Sequence, residues 1–492
     1  MKHLLLTAGL LAATLSSYAQ VGIGTSSPQA FFHVAPGKTV LFGDDTVSLV
    51  RKKLVWYATK GAFRAGLAGT DGWRNEKVGE NSFAGGEYTV ASAKGATAFG
   101  TISTASGLSS VAMGLGNSAI GNYSVALGYV NYARGEYSTA LGKDTQANGR
   151  ISLAAGEQAL ATANGAIAMG TSVKATDSSA VAMGFGTEAS GAYATALGEV
   201  TIANGRAALS VGSATLASGR ASTALGLNST ALGEASLAVG FYAKTFTPYS
   251  IALGRFVTAE GQSSVAIGST ATSPGNYAYA IGRTVNASSE RSMALGNAVG
   301  TGQGNRGSVI IGDASSSNTS NPYLQTTAPN QFMTRFAGGY QLFTDAIASV
   351  GVQVLPNGNA WQTISDSTRK ENFRAADGAS FLKKISQMRL GSWNYKGQDA
   401  KQYRHYGPMA QDFYAAFGKD DVGTIGEDKS INQADFDGVN LIAIKALIEE
   451  VNQLKAENAK LRATNENLQK ETASLQSDMD WVKKQLRGYA KQ

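Results

Sequence analysis

The chain has 492 residues, no cysteine and a formal net charge of +7 that is spread over its length. The lack of cysteine excludes disulfide bonds and thiol catalysis, and the three scattered histidines, His3, His33 and His405, suggest neither a metal site nor another cofactor. Because no basic stripe is interleaved with aromatic residues, we expect no nucleic-acid partner.

The first segment has the pattern of a secretory signal peptide. Lys2 supplies a positive charge, an apolar stretch runs over 4–15, and the motif SYA at 17–19 is a small-x-small cleavage site. The stretch is too short to cross a bilayer, and no later stretch reaches about 18 apolar residues. We therefore predict that 1–19 is removed and that the mature chain, without a membrane span, is secreted or held at the cell surface.

The next segment, 20–83, contains three strand-like runs, FFHV, TVLF and KLVWYA. Four of its large aromatic side chains are compatible with either a ligand-stacking surface or the core of a small β cap. The cap is favoured because the end of a repetitive β structure needs covering. These residues are Trp56, Tyr57, Phe63 and Trp73.

A 14-residue repeat occupies 84–312 and decides the architecture. From Gly86 to Gly296 a glycine recurs at every fourteenth position, and alanine stands two residues before each of them except at Ser210. A second glycine often stands seven residues earlier, as at Gly121. This period predicts a solenoid whose coils hold two short parallel strands and two tight turns, with glycine supplying positive φ at both turns.

Within the unit SVALG (124–128), period-2 alternation places Val and Leu on one face and Ser and Ala on the other. The row of small alanines indicates a close contact, either with the narrow interior of the same chain or with the backbone of a neighbouring chain. So short a coil buries little apolar area alone, which favours the neighbouring chain.

The repeated SVALG unit resembles the left-handed β-roll in the heads of trimeric autotransporter adhesins of the YadA type. The resemblance implies a mainly β fold, a left-handed parallel β-roll and a homotrimer. Such heads bind varied partners, so a surface glycan or a protein is the implied class of ligand. The chain departs from that family in having no C-terminal membrane-barrel strands.

After the repeat, 313–364 is predicted to be a linker and a β stem. SVIIG (308–312) is displaced by two residues from the repeat, a Ser/Asn-rich connector follows, and strand patterns return over 331–363. This part resembles the β-rich stems that precede chaperone domains in phage tail fibres, where three chains interwind.

The end of the chain, 441–488, has six heptads without interruption, which predicts a coiled coil. Asn458 and Asn465 at a positions favour a dimer but are tolerated in a trimer, and the repeat favours three chains. The a positions are Ile444, Val451, Asn458, Asn465, Thr472, Met479 and Leu486, and the d positions are Leu447, Leu454, Leu461, Leu468, Leu475 and Val482.

The candidate chemistry lies in ISDSTRKENF (364–373), where Ser365 and Lys370 are five residues apart. A lysine can act as the general base for a serine hydroxyl where burial favours its neutral form. The alternative is a capping box in which Thr368 and Glu371 close the start of a helix. The spacing alone favours the capping box.

The wider pattern of 365–440 pairs S-D-x4-K with a later G-x-x-A-Q-D and is followed by the coiled coil. It resembles the intramolecular chaperone domain of phage endosialidases and tailspikes, which trimerises a fibre and then cuts itself off with a Ser/Lys dyad. The resemblance implies Ser365 as nucleophile, Lys370 as base and scission between Ile364 and Ser365. It also implies structural support from Asp366, His405, Gly407, Ala410, Gln411 and Asp412.

The chain departs from that family at Thr368 and Arg369, where a basic residue followed by an apolar one is common. Three functions follow: a trimeric fibre with a self-cleaving chaperone, the same fibre without cleavage, and a polysaccharide-degrading enzyme. The last would need paired carboxylates in a groove, whereas the acidic residues of the repeat are scattered in turns. They include Glu136, Asp144, Glu157, Glu188 and Glu199.

Overall fold

The computed structural model describes residues 20–43, 51–69, 72–315 and 323–490. The chain divides into two compact units, Met1–Ala337 and Gly338–Gln492. The predicted signal peptide at 1–19 lies outside the described residues.

The first unit is dominated by a parallel β-solenoid, as the repeat predicts. Each coil has one five-residue strand and one two-residue strand, and each strand pairs in parallel with its equivalent fourteen residues further on, so that Val111 lies beside Val125 and Ser118 beside Tyr132. The short period therefore fixes the register of every coil against the next.

The five-residue strands are Phe83–Glu87, Thr97–Thr101, Val111–Leu115, Val125–Tyr129, Thr139–Lys143, Leu153–Glu157, Ile167–Thr171, Val181–Phe185, Thr195–Glu199, Leu209–Ser213, Thr223–Leu227, Leu237–Phe241, Ile251–Arg255 and Val265–Ser269. The two-residue strands are Val90–Ala91, Thr104–Ala105, Ser118–Ala119, Tyr132–Ala133, Gln146–Ala147, Leu160–Ala161, Lys174–Ala175, Glu188–Ala189, Ile202–Ala203, Leu216–Ala217, Thr230–Ala231, Lys244–Thr245, Thr258–Ala259 and Thr272–Ser273.

The alanine row packs inside its own chain, so the expectation that it meets the backbone of a neighbouring chain was wrong. Ala126 and Ala119, from the two strands of one coil, are both fully buried within the single chain, and Ser124 is buried beside them. The interior of the coils is filled mostly by alanine and serine, with larger side chains such as Asn131 and Val173 in some coils. Stacking then buries each interior against the coils on either side.

The two glycine rows have different roles, which the repeat did not predict, and the first row lies within the five-residue strands and not at a turn. The glycines that recur every fourteen residues have positive φ, for example +122° at Gly128. The second glycine row does not, but a Cβ at Gly121 would lie 2.0 Å from the carbonyl oxygen of Gly135. Positive φ at the turns is instead carried mostly by other residue types, such as Tyr123 and Ile151.

The first and third side chains of the five-residue strands form a continuous, mainly apolar surface, which we call the outer apolar face. In each coil these two side chains point outward and are partly exposed, as Val125 and Leu127 are. From 97 to 295 these two columns contain apolar residues and threonine and no charged residue. The outward column of the two-residue strands, by contrast, contains Lys174, Glu188 and Lys244.

The N-terminal end of the solenoid is capped by an antiparallel meander of Val40–Gly43, Lys52–Tyr57 and Ala62–Leu67, the last of which pairs in parallel with the first coil. Arg64 is fully buried there, and its guanidinium donates to the carbonyls of Phe63, Ser82 and Ala91. Burial lowers the pKa of Arg64 to about 10.

Among the aromatic residues of this segment, the cap interpretation holds for Trp73, which is buried and donates to the carbonyl of Thr89. Phe63 stacks on Phe83 of the first coil, whereas Trp56 remains exposed. The remaining elements here are the parallel pair Val21–Ile23 and Phe32–Val34 and the 3₁₀ turn Asn75–Lys77.

The parallel ladder continues beyond 312, the residue at which the repeat was predicted to end. Tyr279–Ala287 pairs with Met293–Thr301, which pairs with Val309–Gly312 and Leu324–Gln325. Val309–Gly312 pairs in turn with Phe332–Arg335. The two-residue shift of SVIIG is absorbed between the strands.

The second unit begins with an antiparallel sheet of Tyr340–Phe343, Gly351–Val354 and Gln362–Thr363. After the 3₁₀ turn Ser367–Arg369 come helix α1 (Gly378–Gln387), the hairpin Gly391–Trp393 and His405–Gly407, and helix α2 (Ala410–Phe417). One 57-residue helix, α3 (Gln433–Tyr489), follows. The mainly β fold with a small α/β region and a C-terminal helix is therefore confirmed.

Candidate functional site

The predicted cleavage bond lies directly after the last strand of the antiparallel sheet. Gln362–Thr363 pairs with Val352 and Gln353, and the N–H of Ile364 donates to the carbonyl of Gly351 at 3.4 Å. The chain leaves the sheet at Ser365, which is exposed. The residue before the bond is thus held by the sheet, while the residue after it begins a turn.

Asp366 starts that turn as an N-cap. Its carboxylate accepts a hydrogen bond from the N–H of Thr368 at 2.9 Å, and the pKa of Asp366 is lowered chiefly by this bond. Only the short 3₁₀ turn Ser367–Arg369 follows, and the next helix starts at Gly378 with Asp377 as its N-cap. The capping box of Thr368 and Glu371 was therefore a wrong interpretation.

The turn brings the side chain of Lys370 next to the side chain of Ser365. The Nζ atom of Lys370 donates to the Oγ atom of Ser365 at 2.7 Å, and both side chains are exposed in the single chain. This is the contact that a serine nucleophile and its general base need. A neutral amine at this distance can accept the hydroxyl proton, whereas an ammonium can only donate to the hydroxyl.

A loop that sequence reasoning did not single out lies next to this pair. The guanidinium of Arg369 is 3.5 Å from the carbonyl oxygen of Ser349, between the first two strands of the sheet. The carboxylate of Asp345 accepts hydrogen bonds from the N–H groups of Ser349 and Val350 and from the Ser349 hydroxyl. The aspartate and the serine four residues later are typical of a capped turn, but the sequence does not indicate the contact of Ser349 with Arg369.

The second motif is located on the hairpin and at the start of α2. His405 stacks on Trp393 across the hairpin, with ring centroids 4.7 Å apart, and Gly407 has a φ of +147°. Ala410 and Gln411 begin α2, and the next residue, Asp412, accepts two hydrogen bonds from Arg389 at 3.0 and 3.2 Å. The contact with Asp412 raises the pKa of Arg389.

Aromatic packing holds this region together. The ring centroids of Phe381 in α1 and Phe417 in α2 are 5.0 Å apart. Those of Phe413 in α2 and Phe436 at the start of α3 are 5.7 Å apart. A Cβ at Gly378 would lie 2.6 Å from the Cβ of Ala446, which shows how closely α1 approaches α3. Within the described part of the chain, no hydrogen bond or ion pair joins this region to Ser365 or Lys370.

Comparison with protein families agrees with the two resemblances. Residues 365–421 match the model described as chaperone of endosialidase. Nine overlapping or successive stretches between 91 and 284 match the model described as YadA head domain repeat. The chain is therefore similar to YadA head repeats between 91 and 284 and to the chaperone of endosialidase over 365–421. A search of curated proteins finds no match for the chain.

Several acidic residues of the 14-residue repeats take part in ion pairs between coils. Glu136 pairs with Arg150 at 3.2 Å, and Glu157 pairs with Lys143 at 2.6 Å, each over a separation of fourteen residues. The Glu157 contact raises the pKa of Lys143. These carboxylates tie one coil to the next.

Across the described ranges, no group of three or more histidine and acidic side chains is placed to hold a metal ion. In the same ranges, no helix is both long and apolar enough to span a membrane.

Proposed function

We propose that the protein is an exported trimeric fibre whose C-terminal chaperone domain aligns three chains and then releases itself by cutting between Ile364 and Ser365. The 2.7 Å contact between Lys370 and Ser365 carries the cleavage part of this proposal. The matched families and the surfaces that a single chain leaves exposed support the assembly part.

The outer apolar face supports self-association of the head. A continuous strip of mainly apolar residues, with threonine and no charge, is uncommon on a monomeric surface and marks an interface. The strip repeats with the period of the coils, so the partner that matches it along its length is another copy of the same solenoid. Three copies follow from the resemblance to YadA-like heads.

Helix α3 supports association at the other end of the chain. Its heptad residues are exposed in the single chain, including Leu447, Leu454 and Leu461, and an isolated helix of this length gains its stability from partner helices. The coiled coil that the heptads predict supplies those partners.

A separate chaperone is useful because the head alone specifies its register poorly. Three identical solenoids that slip past one another by one coil would bury nearly the same side chains. A coiled coil at the C-terminus aligns the chains once, and the solenoids can then associate from that end. A chain lacking 365–492 should therefore aggregate or remain monomeric, and a soluble trimer would contradict the chaperone role.

The cleavage we propose is an N-to-O acyl shift followed by ester hydrolysis. Neutral Lys370 takes the hydroxyl proton of Ser365 as Oγ attacks the carbonyl carbon of Ile364. The C–N bond then breaks, the proton passes from Lys370 to the released amine, and an ester joins Ile364 to Oγ. Water hydrolyses the ester, which leaves a carboxylate on Ile364 and a new N-terminus at Ser365.

The exposure of the dyad supports coupling of this reaction to assembly. Water stabilises an ammonium, so an exposed lysine is a poor base, whereas a buried one favours the neutral amine. Partner chains that cover the dyad would supply that burial, and cleavage would then follow trimerisation and occur once per chain.

The mass of the mature polypeptide tests the proposal. We expect two fragments from assembled protein, the smaller one starting at Ser365 by N-terminal sequencing. An intact chain after complete assembly would leave the fibre without cleavage as the function. A polysaccharide-degrading activity has weaker support, because Glu136 and Glu157 are engaged in ion pairs, and incubation with glycans tests it directly.

A further inference from the structure

The bond proposed for cleavage lies between two contacts to one loop, 345–351, that precedes it in the chain. On one side, the N–H of Ile364 donates to the carbonyl of Gly351 at 3.4 Å. On the other side, the guanidinium of Arg369 lies 3.5 Å from the carbonyl of Ser349. Both contacts are long for hydrogen bonds, so they depend on how well the two carbonyls are held in place.

The carboxylate of Asp345 holds them. It accepts from the N–H of Ser349 at 2.9 Å, from the hydroxyl of Ser349 at 2.6 Å and from the N–H of Val350 at 2.9 Å. Ser349 is the acceptor for Arg369, and Val350 immediately precedes Gly351. One side chain therefore sets the positions of both acceptors.

Asp345 is a carboxylate over the whole working pH range, so it can accept these hydrogen bonds at all times. Its hydrogen bonds, of which the Ser349 hydroxyl contributes most, lower the pKa of Asp345 to about 2. The group stays a carboxylate wherever the protein is handled near neutral pH. Its described hydrogen bonds go to Ser349 and Val350 and not to Ser365 or Lys370, which supports a role in positioning and not in moving the proton.

We propose that Asp345 is a positioning residue for the self-cleavage, acting through the loop 345–351 to hold both sides of the Ile364–Ser365 bond. Reaction within one chain depends on alignment, and a displacement of about 1 Å can slow such a step by about a hundredfold. The inference rests on the proposed function. It makes the stem, which stays with the fibre, a part of the cleavage site, so that cutting requires a folded stem.

The test compares the rate of cleavage in full-length chains after pulse-labelled synthesis, with trimer content measured in the same samples. Asp345→Ala removes every acceptor and should slow cleavage roughly tenfold, whereas Asp345→Asn keeps one oxygen and should slow it roughly threefold. Asp313→Asn is the matched control, since Asp313 also caps a turn, through Ser315 and Ala337, in the other unit. It should be cleaved at the parental rate.

Both Asp345 variants should keep the parental pH profile, because the proton still goes to Lys370. A shifted profile would assign Asp345 to proton transfer and overturn the positioning role. Parental rates in both variants would overturn it too, as would loss of trimer in both, which would assign the loop to assembly. If only the Asp345→Ala variant fails to assemble, the cleavage rate of the Asp345→Asn variant decides whether the positioning role holds. An uncleaved parent would end the proposed function and this inference together, whereas a cleaved parent with unaffected variants would end the inference alone.

Discussion

Gly312 lies beside Gly296 in the parallel ladder, although sixteen residues separate them instead of fourteen. The two extra residues are accommodated in the turn after Thr301, so the ladder keeps its pairing where the sequence loses its period. The backbone at this glycine row, and not the length of the coil, is what the stacking conserves.

Substitution of a glycine in this row should therefore be costly. Gly296 has a φ of +103°, and a Cβ there would lie 1.8 Å from the carbonyl oxygen of Gly312. We expect Gly296→Ala to lower the free energy of unfolding by more than about 3 kcal/mol, measured by denaturant unfolding. Gly304 has a φ of +79° and no atom near the position of a Cβ. Gly304→Ala therefore measures the cost of positive φ without a clash, and it should lower the free energy of unfolding by about 1 kcal/mol. Equal costs would contradict the close approach.

Two adjacent alanines should respond in opposite ways to enlargement. Ala154 is fully buried in the interior of its coil, whereas Ala155 points outward in a column that holds Leu141 and Met169 in the neighbouring coils. Ala154→Leu should overpack the interior and destabilise the head by about 3 kcal/mol, and Ala155→Leu should be nearly neutral. Thermal unfolding followed by circular dichroism distinguishes them. Similar melting of both variants would place the alanine row elsewhere.

Substitutions in the Ser365–Lys370 dyad can show whether cleavage needs the positive charge of Lys370 or its ability to accept a proton. Ser365→Ala and Lys370→Ala should both give uncut chains that still form trimers. Lys370→Arg keeps the positive charge but should also fail, because a guanidinium does not give up its proton. Gel electrophoresis and native mass spectrometry give the two readouts. A cut Lys370→Arg chain would rule out the lysine as the base.

Association through α3 can be tested with two substitutions on the same turn of the helix. Leu461→Asp places a charge at a d position and should abolish association of an isolated α3 peptide. Ala463→Asp places the same charge at the outer f position and should leave association intact. Light scattering measures both. Association of the Leu461→Asp peptide would show that the heptads do not form the interface.

The loop at Asp345 should respond to acid in a defined window. Because hydrogen bonding lowers the pKa of Asp345 from 3.8 to about 2, the stabilisation is present above the unfolded value and is lost as the pH falls through about 2. We expect amide-exchange protection of Ser349 and Val350 to persist to about pH 3 and then decline. The Asp345→Asn variant should show no such decline. Protection that is lost already near pH 4 would contradict the hydrogen bonds.

The period of the sequence predicted the coils, their register and which residues alternate, because backbone pairing in a solenoid depends directly on spacing. It did not predict where the alanine row packs, since an inward and an outward small residue have the same pattern. Nor did it predict positive φ at Tyr123 or Ile151. That conformation is imposed by the turn and has no signature in residue type.

The candidate site shows the same division. Ser365 and Lys370 were predicted by motif, and a local turn brings them together over five residues. The contributions of Asp345 and Ser349 depend on strand pairing between distant segments, which no local pattern reveals. The pairing of Arg389 with Asp412 is likewise a contact between segments far apart in the sequence.

The repeated backbone of the coils allows the head to vary in length. Because every coil follows the same backbone path and buries Ala or Ser at most interior positions, with variation at positions such as Asn117, Thr145 and Val173, the upper and lower surfaces of different coils are alike. A whole coil can be duplicated or lost, as by unequal recombination between similar coding units, and its neighbours still meet matching surfaces. The reach of the fibre can thus change in steps of about 4.8 Å per coil while both ends remain as they are.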